Sequence, residues 1–439
     1  MQTLSGKQRT VSVAAEKVAQ PRGFLRTFSA LRHRNFSLFW WGQLISLIGT
    51  WMQSIGQTWL VLELTHSAWL LGVVGALQFL PILLFALFGG VVADKFPKRN
   101  ILVFTQSFSM LQAAALWLLV FTHTVQLWHV MVLALLLGLT NSLDMPTRQA
   151  FVVEMVGRED LPNAVALNSS IFNMARIVGP GIGGLLIAGL GVAPLFLLNA
   201  ISFIPVIIGL LLIDATKLHA VASHVLIEQK QGTFRSLREG FVYIRQTPAV
   251  LMIIVVIGIV SLFCINFNVT LPLVATEVLN VGAAGFGFIS SAFGVGALIS
   301  ALWLAWQNKR PHISPMLFWS IVFCVLLIAF ALVRIYYVSL VLIALVGFTQ
   351  IAFSALANTA LQTVTPDHLR GRVMGVYMLV FTGSTPIGNL LTGALAHWYG
   401  VSIALIVCAV LSLIASVIGW VLRAPAEKSV VQSSILPAD

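Results

Sequence analysis

Apolar runs of about 20 residues recur along the whole chain, and that one feature removes most of the folds open to 439 residues. As a helix, such a run crosses roughly 30 Å of hydrocarbon with each backbone amide satisfied inside its own segment. The spacing predicts twelve spans, at 36–62, 68–93, 101–122, 127–149, 164–190, 194–213, 249–275, 283–306, 314–334, 338–363, 372–397 and 401–422. Composition agrees: 59% of residues are hydrophobic, 9% are charged and the mean hydropathy is +0.96, values that no water-soluble surface tolerates. The alternating pattern of a membrane barrel is absent, so the expected class is an all-α membrane protein with twelve transmembrane helices.

The net charge of +11 is read as topology rather than as a nucleic-acid footprint. Of the 25 Lys and Arg, all but Arg176 and Arg334 fall on one side of the predicted membrane. The positive-inside rule then places both termini in the cytoplasm. Charge spread over many short loops leaves no coherent surface for DNA or RNA. Cys264, Cys324 and Cys408 all fall inside spans without metal-ligand spacing, so neither metal nor cofactor is expected. No GxxxxGK[ST] phosphate loop is present, which argues against ATP hydrolysis. Residues 1–35 lack the apolar core of a cleavable signal. Their Phe24, Leu25, Phe28 and Leu31 predict a short interfacial helix leading into the first span.

The longest polar stretch between spans, 214–248, divides the chain into a six-span bundle at 36–213 and another at 249–422, with a tail at 423–439. Within that linker, Phe234, Leu237, Phe241 and Ile244 share one face, which predicts an amphipathic helix on the membrane surface. A proline- and glycine-rich span follows a polar turn in both halves: Gly179, Pro180, Gly183 and Gly184 in the first, Gly383, Pro386, Gly388 and Gly393 in the second. Two repeats joined by a linker are the layout of a secondary transporter.

Charges and amides inside spans narrow the functional candidates. Arg176 lies about twelve residues into its span, roughly 18 Å along the helix, where an arginine faces a partner or a wet cavity. Ser169 and Asn173 share its face. Substrate binding or coupling is one role for Arg176; an ion pair with Asp144 is the other. Asp144 is a coupling candidate, although Arg148 one turn on could satisfy it locally, and Glu154 with Arg158 repeats the spacing. Glu63 and Glu277 lie at helix ends, where solvated carboxylates are ordinary. The first span carries Gln43, Ser46, Thr50, Gln53 and Gln57 at three- and four-residue steps, a stripe too polar for lipid. Asn266 and Thr270, Gln350, Ser354 and Asn358, and Tyr377 and Ser384 form similar stripes in later spans. Each stripe either lines a cavity or bonds to a neighbouring helix.

The sequence "GGVVADKFPKRN" at 89–100 resembles a signature of the major facilitator superfamily: Gly90, Asp94, Lys95, Lys98 and Arg99 match, with Pro97 in place of a glycine. Gly179, Pro180, Gly183 and Gly184 match the superfamily's antiporter motif, which marks exporters. "LELTHSAWLLG", "DMPTRQAF" and "LNSSIFNMARIVGP" resemble the subgroup holding the bacterial enterobactin exporter and macrolide efflux proteins. The helix-four arginine of many drug antiporters would fall near Ala134 and is missing.

That resemblance implies two six-helix bundles and a cavity lined by helices one, four, seven and ten. Gln43, Gln53, Gln57, Asn266, Gln350, Asn358 and Tyr377 are the lining candidates. It also implies a cytoplasmic latch between the halves. In it Asp94, beside Lys98 and Arg99, meets the start of helix eleven with Arg370 and Arg372, while Glu159 and Asp160 meet Lys309 and Arg310. The resulting expectation is a monomeric exporter in the bacterial plasma or inner membrane. It would move a small organic molecule, siderophore or drug-like, by proton antiport and alternating access. Proton-coupled uptake, lysolipid movement and a non-transporting sensor are the alternatives. No nucleophile–base pair supports an enzyme.

Overall fold

The computed structural model describes residues 24–219, 233–307 and 313–423, and among them every regular element is a helix. The first half comprises α1 (Arg34–Thr65), α2 (Ala68–Lys95), α3 (Lys98–Phe121), α4 (Leu127–Leu190) and α5 (Ala193–Leu211). After the linker helix α6 (Thr233–Gln246) come α7 (Pro248–Cys264), α8 (Phe267–Leu273), α9 (Ala283–Gln307), α10 (Ile313–Leu332), α11 (Tyr336–Val364), α12 (Asp367–Tyr399) and α13 (Val401–Val421). Among the described residues, nine segments are long and apolar enough to cross a membrane. Neither α1 nor α12 is one of them, although they run for 32 and 33 residues, because amides, hydroxyls and charges dilute their hydropathy.

At 64 residues α4 would be about 96 Å long if straight, three times the hydrocarbon thickness. Gly157 breaks it at φ 71°, in a region that residues with a Cβ avoid. Contacts show that its two arms run in opposite directions. The first arm is antiparallel to α3: Glu154 meets Lys98, Asp144 meets Thr105, and Leu133 meets Gln112. The second arm runs parallel to α1: Asp160 meets His33, and Gly179 packs on Ile48 and Trp51. Because Leu38 of α1 and Arg99 of α3 both meet the last turn of α5, the starts of α1 and α3 and the Gly157 turn share one end of the bundle. This basic end also carries Lys95, Lys98, Arg99, Arg370 and Arg372.

The second half repeats these relations. α7 runs parallel to α12, with Gly258 against Val380 and Asn266 against Thr392, and antiparallel to α13, with Gly419 against Val256 and Cys264 against Cys408. The span expected at 249–275 is not one helix. α7 stops at Cys264, Ile265 and Asn266 leave helical geometry, α8 resumes for seven residues, and a π-turn follows at Val274–Val278. Asn266 bridges the break by donating to the Leu262 carbonyl at 2.7 Å. Ahead of α1 the expected interfacial helix is a 3₁₀ helix, Phe24–Arg32.

Two seams join the halves. The second arm of α4 crosses α9 at Gly184 and Gly287, and α2 crosses α12 at Gly72 and Gly393. A Cβ on Gly184 would lie 2.6 Å from the Ala283 carbonyl oxygen, and one on Gly393 would lie 2.9 Å from that of Ala68. Both crossings lie far from the basic end. Toward the basic end, Gly90 of α2 and Gly371 of α12 face open space, with no neighbour among the described residues within 4 Å of a Cβ position. The two glycine seams thus join the halves at the end opposite the basic one.

Candidate functional site

Behind the closed seam lies a cavity of about 160 Å³, to which both halves contribute. The first half supplies Trp51, Ser54, Ile55 and Thr58 of α1 and Arg176 and Pro180 of α4. The second supplies Ile265, Phe267, Asn268 and Leu271 around the α7–α8 break, and Phe286, Ser290 and Phe293 of α9. The break matters here because it turns Phe267 and Asn268 toward the cavity where a straight helix would have continued its own ladder. Trp59 stacks on Phe286 across the halves, with centroids 6.1 Å apart and planes at 20°.

Arg176 is the charged group in this lining. Its guanidinium sits 4.7 Å from the Phe293 ring centroid and 5.9 Å from that of Trp51. Among the described residues no carboxylate pairs with it. A cation held at this depth costs about 3 kcal/mol, and each ring contact offsets about 0.5–2 kcal/mol. Arg176 does not pair with Asp144. That carboxylate binds Arg148 on its own helix, through Nε at 2.9 Å and a terminal nitrogen at 2.5 Å, and accepts from Thr105 at 2.7 Å and Gln106 at 2.8 Å. Asn173 donates to the Ser169 carbonyl at 2.9 Å and is not part of the cavity lining.

The polar stripe of α1 turns mainly into its own half. Gln53 donates to Gln112 of α3 and accepts from Asn199 of α5, and Gln57 donates to Gln78 of α2. The cavity takes the neighbouring face, Trp51, Ser54, Ile55 and Thr58, so the stripe expected to line it instead holds helices together. Gln43 is buried and, among the described residues, its carbonyl oxygen has no partner. Asn266 caps the α7 break and reaches Thr392 at 3.1 Å, while Gln350 bonds to Ser354 at 3.4 Å. Asn358 accepts from Gln362, and buried Tyr377 stacks on Phe381. None of these four lines this cavity. Thr105, Gln106, Ser109 and Gln112, whose three- and four-residue steps are the sequence signal for it, form a further buried polar stripe on α3.

The motif Gly179, Pro180, Gly183, Gly184 divides its work. Gly179 and Gly183 pack on α1 at Trp51 and Met52, Pro180 lines the cavity, and Gly184 makes the seam with α9.

At the basic end the latch residues are engaged elsewhere. Asp94 is exposed and has no ion-pair partner among the described residues. Arg370 pairs with Asp367 at 2.6 Å and donates to the Gln362 carbonyl. Arg372 pairs with Glu239 of α6, whose Gly240 packs on the Arg372 backbone, so the linker helix docks on α12. Asp367, in the first turn of α12, occupies the helix-terminus position foreseen for Asp94. Lys98 binds Glu154 at 2.7 Å, so Glu154 is not the partner of Arg158, and Arg99 donates to the Leu210 and Leu211 carbonyls. Asp160 binds His33 at 2.7 Å and accepts from Ser29 at 2.8 Å. The His33 hydrogen bond, opposed by partial burial and aided by Ser29, holds the Asp160 carboxyl below the usual carboxylate range. Glu159 is exposed, and Lys309 and Arg310 lie outside the described residues.

Comparison with known proteins places this arrangement. The chain is 27% identical to the staphyloferrin A transporter of Staphylococcus aureus, over 83% of this chain and 90% of that one. It is 29% identical to the multidrug efflux pump Tap of Mycolicibacterium fortuitum, over 78% and 84%. Enterobactin exporters and macrolide efflux proteins are further relatives. Among solved structures, a bacterial homologue of the human lysosomal transporter Spinster, in an inward-facing and unoccupied conformation, superposes with a TM-score of 0.69. It covers 95% of this chain and 100% of that one at 11% identity, which speaks to the fold. Residues 25–438 match the family described as transmembrane secretion effector, and the chain belongs to that family of major facilitator transporters.

Proposed function

We propose that the protein exports a small organic molecule, siderophore-like or drug-like, across the bacterial plasma or inner membrane by proton antiport and alternating access. The observation that carries this reading is the asymmetry of the two ends. Glycine seams close one end over a cavity built by both halves, while at the other end, among the described residues, Gly90 and Gly371 face open space and Asp94 has no ion-pair partner. With the basic end in the cytoplasm, by the positive-inside rule, this is the state that loads from inside. Twelve spans follow if α1, α12 and both arms of α4 each cross once and α7 to Val278 crosses as one segment, leaving both termini cytoplasmic.

Outward opening would part the Gly184–Gly287 and Gly72–Gly393 seams and bring the basic ends together. Asp94 then meets Arg370 or Arg372 at the start of α12. Asp144 is assigned the coupling proton: it is a buried carboxylate whose partners Arg148, Thr105 and Gln106 come from two helices that meet at the basic end. The names of the relatives support a siderophore or a drug as cargo.

The test is a panel of siderophores and macrolides in everted membrane vesicles with an imposed pH gradient. Gradient-dependent accumulation inside everted vesicles, lost on adding a protonophore, supports export by antiport. Gradient-driven movement in the opposite sense would replace it with uptake by symport.

A further inference from the structure

Among the described residues, Arg176 is a cation without a counter-ion. The other cavity-lining residues are aromatic, aliphatic, hydroxyl-bearing or amide-bearing, and none is acidic. Asp144, the carboxylate best placed in sequence to neutralise it, is committed to Arg148, Thr105 and Gln106. Glu63 accepts from the Trp59 indole on its own helix at 2.6 Å. The rings of Phe293 and Trp51 approach the guanidinium, and they stabilise a cation without neutralising it.

We infer that the cavity binds an amphipathic aromatic anion, its carboxylate or acidic phenol on Arg176 and its ring among Trp51, Phe267, Phe286 and Phe293. A guanidinium presents a flat fork of N–H donors that matches a planar oxyanion, and an ammonium would not reproduce that geometry. The aromatic wall is drawn from both halves: Trp51 stands on α1, Phe267 on α8, and Phe286 and Phe293 on α9. Ser54, Thr58, Ser290 and Asn268 can hold the ligand's remaining polar groups. A ligand so placed bridges the two halves, so its arrival bears on the seam above it. The inference rests on the export reading for its physiological meaning, and it sharpens the cargo to one chemical class.

The experiment is equilibrium binding to the full chain in nanodiscs without any ion gradient, by calorimetry, with 1-naphthoate, 1-naphthamide, 1-naphthylmethylamine and acetate. The expected result is that naphthoate binds at least about tenfold more tightly than the isosteric amide, the amine or acetate. Excess inorganic phosphate should leave the naphthoate signal in place; complete displacement by phosphate would reduce the site to a simple anion site and overturn the aromatic half of the inference. Arg176→Gln should bring naphthoate and naphthamide to equal affinity, whereas Arg176→Lys should keep a weaker preference for the acid. Phe293→Leu should weaken acid and amide alike. Equal binding of acid and amide to the unaltered protein, no binding of any probe, or a preserved acid preference in a folded Arg176→Gln protein would each overturn the inference. Because no gradient is imposed, anion binding without proton-driven movement in vesicles would overturn the export reading while leaving the site intact.

Discussion

Gly184 and Gly287 meet so closely that a Cβ added to either would lie 2.8 Å from the Cα of the other. Real Cβ atoms essentially never come within 3.0 Å of another heavy atom, and the atoms in the way here are backbone. Alanine at either position raises intrinsic helix propensity by about 1 kcal/mol, so the helices themselves tolerate it. What it opposes is closure. Gly287→Ala should therefore leave the helical content unchanged and reduce transport about tenfold or more, the effect of shifting a two-state balance by about 1.4 kcal/mol. A cysteine in place of Ser290, in the cavity just below, reports the cause. The native Cys264, Cys324 and Cys408 are buried, so a membrane-impermeant thiol reagent reads Ser290→Cys above a low background. Labelling from the face opposite the basic end should speed up several-fold when Gly287→Ala is added. Unchanged labelling would mean the seam is not a gate.

The glycine-rich second arm of α4 shows how far such a seam is legible in sequence. Gly179, Pro180, Gly183 and Gly184 announce close packing, but not that Gly179 and Gly183 face α1 while Gly184 faces the other half. Spacing gives a face; the partner depends on how two bundles dock. Arg176 was legible because a cation deep in an apolar run demands an explanation. Its aromatic partners were not, since Trp51 and Phe293 read as ordinary lipid-facing or core rings. The α1 stripe misled for a related reason: Gln53 and Gln57 are too polar for lipid, and the sequence cannot say whether a polar face meets water or the amides of Gln112, Asn199 and Gln78. The α7 break left one trace, Asn266 and Asn268 within an apolar run, where short amide side chains compete for backbone bonds. The latch residues lay where basic loops put them, but their partners in this conformation, Glu239 and Asp367, lie on segments close in sequence to the arginines or in the linker.

Asp94 offers the sharpest test of the latch. Among the described residues it is unpaired in the state closed at the opposite end, so Asp94→Asn should leave insertion, folding and substrate binding intact while lowering transport about tenfold. A pair of cysteines at Asp94 and Arg370 extends the test. They should cross-link rapidly only when the protein is driven outward, and the cross-linked form should lose transport until reduced. Cross-linking at the same rate in both states would remove the latch.

Asp144→Asn addresses coupling. It leaves Arg148 as an uncompensated cation in a mostly buried site and should lower thermal stability by about 2 kcal/mol, the scale of a lost hydrogen bond to a charged group. In proteoliposomes, substrate exchange without a gradient should persist, because alternating access needs no net proton movement. Accumulation driven by a pH gradient should fall to background. If the variant still accumulates substrate against its gradient, the coupling proton resides elsewhere.

Asp160 fastens the segment before α1 to the Gly157 turn through Ser29 and His33, beside the bond from the Ala30 amide to Asn163 at 2.9 Å. Its carboxyl is held below the usual carboxylate range, so the anionic form is the one that fits the folded state. The sign follows: this contribution is complete above about pH 4, the ordinary aspartate value, and is lost as pH falls through the lower folded value. Hydrogen exchange across residues 29–33, corrected for intrinsic rates, should therefore be slow at neutral pH and several-fold faster once the pH falls below the lowered folded value of this carboxyl. Asp160→Asn should exchange fast at both values, because an amide cannot supply the anion that His33 and Ser29 bind. Equal protection of the variant and the unaltered protein at neutral pH would show that Asn163 alone holds the segment.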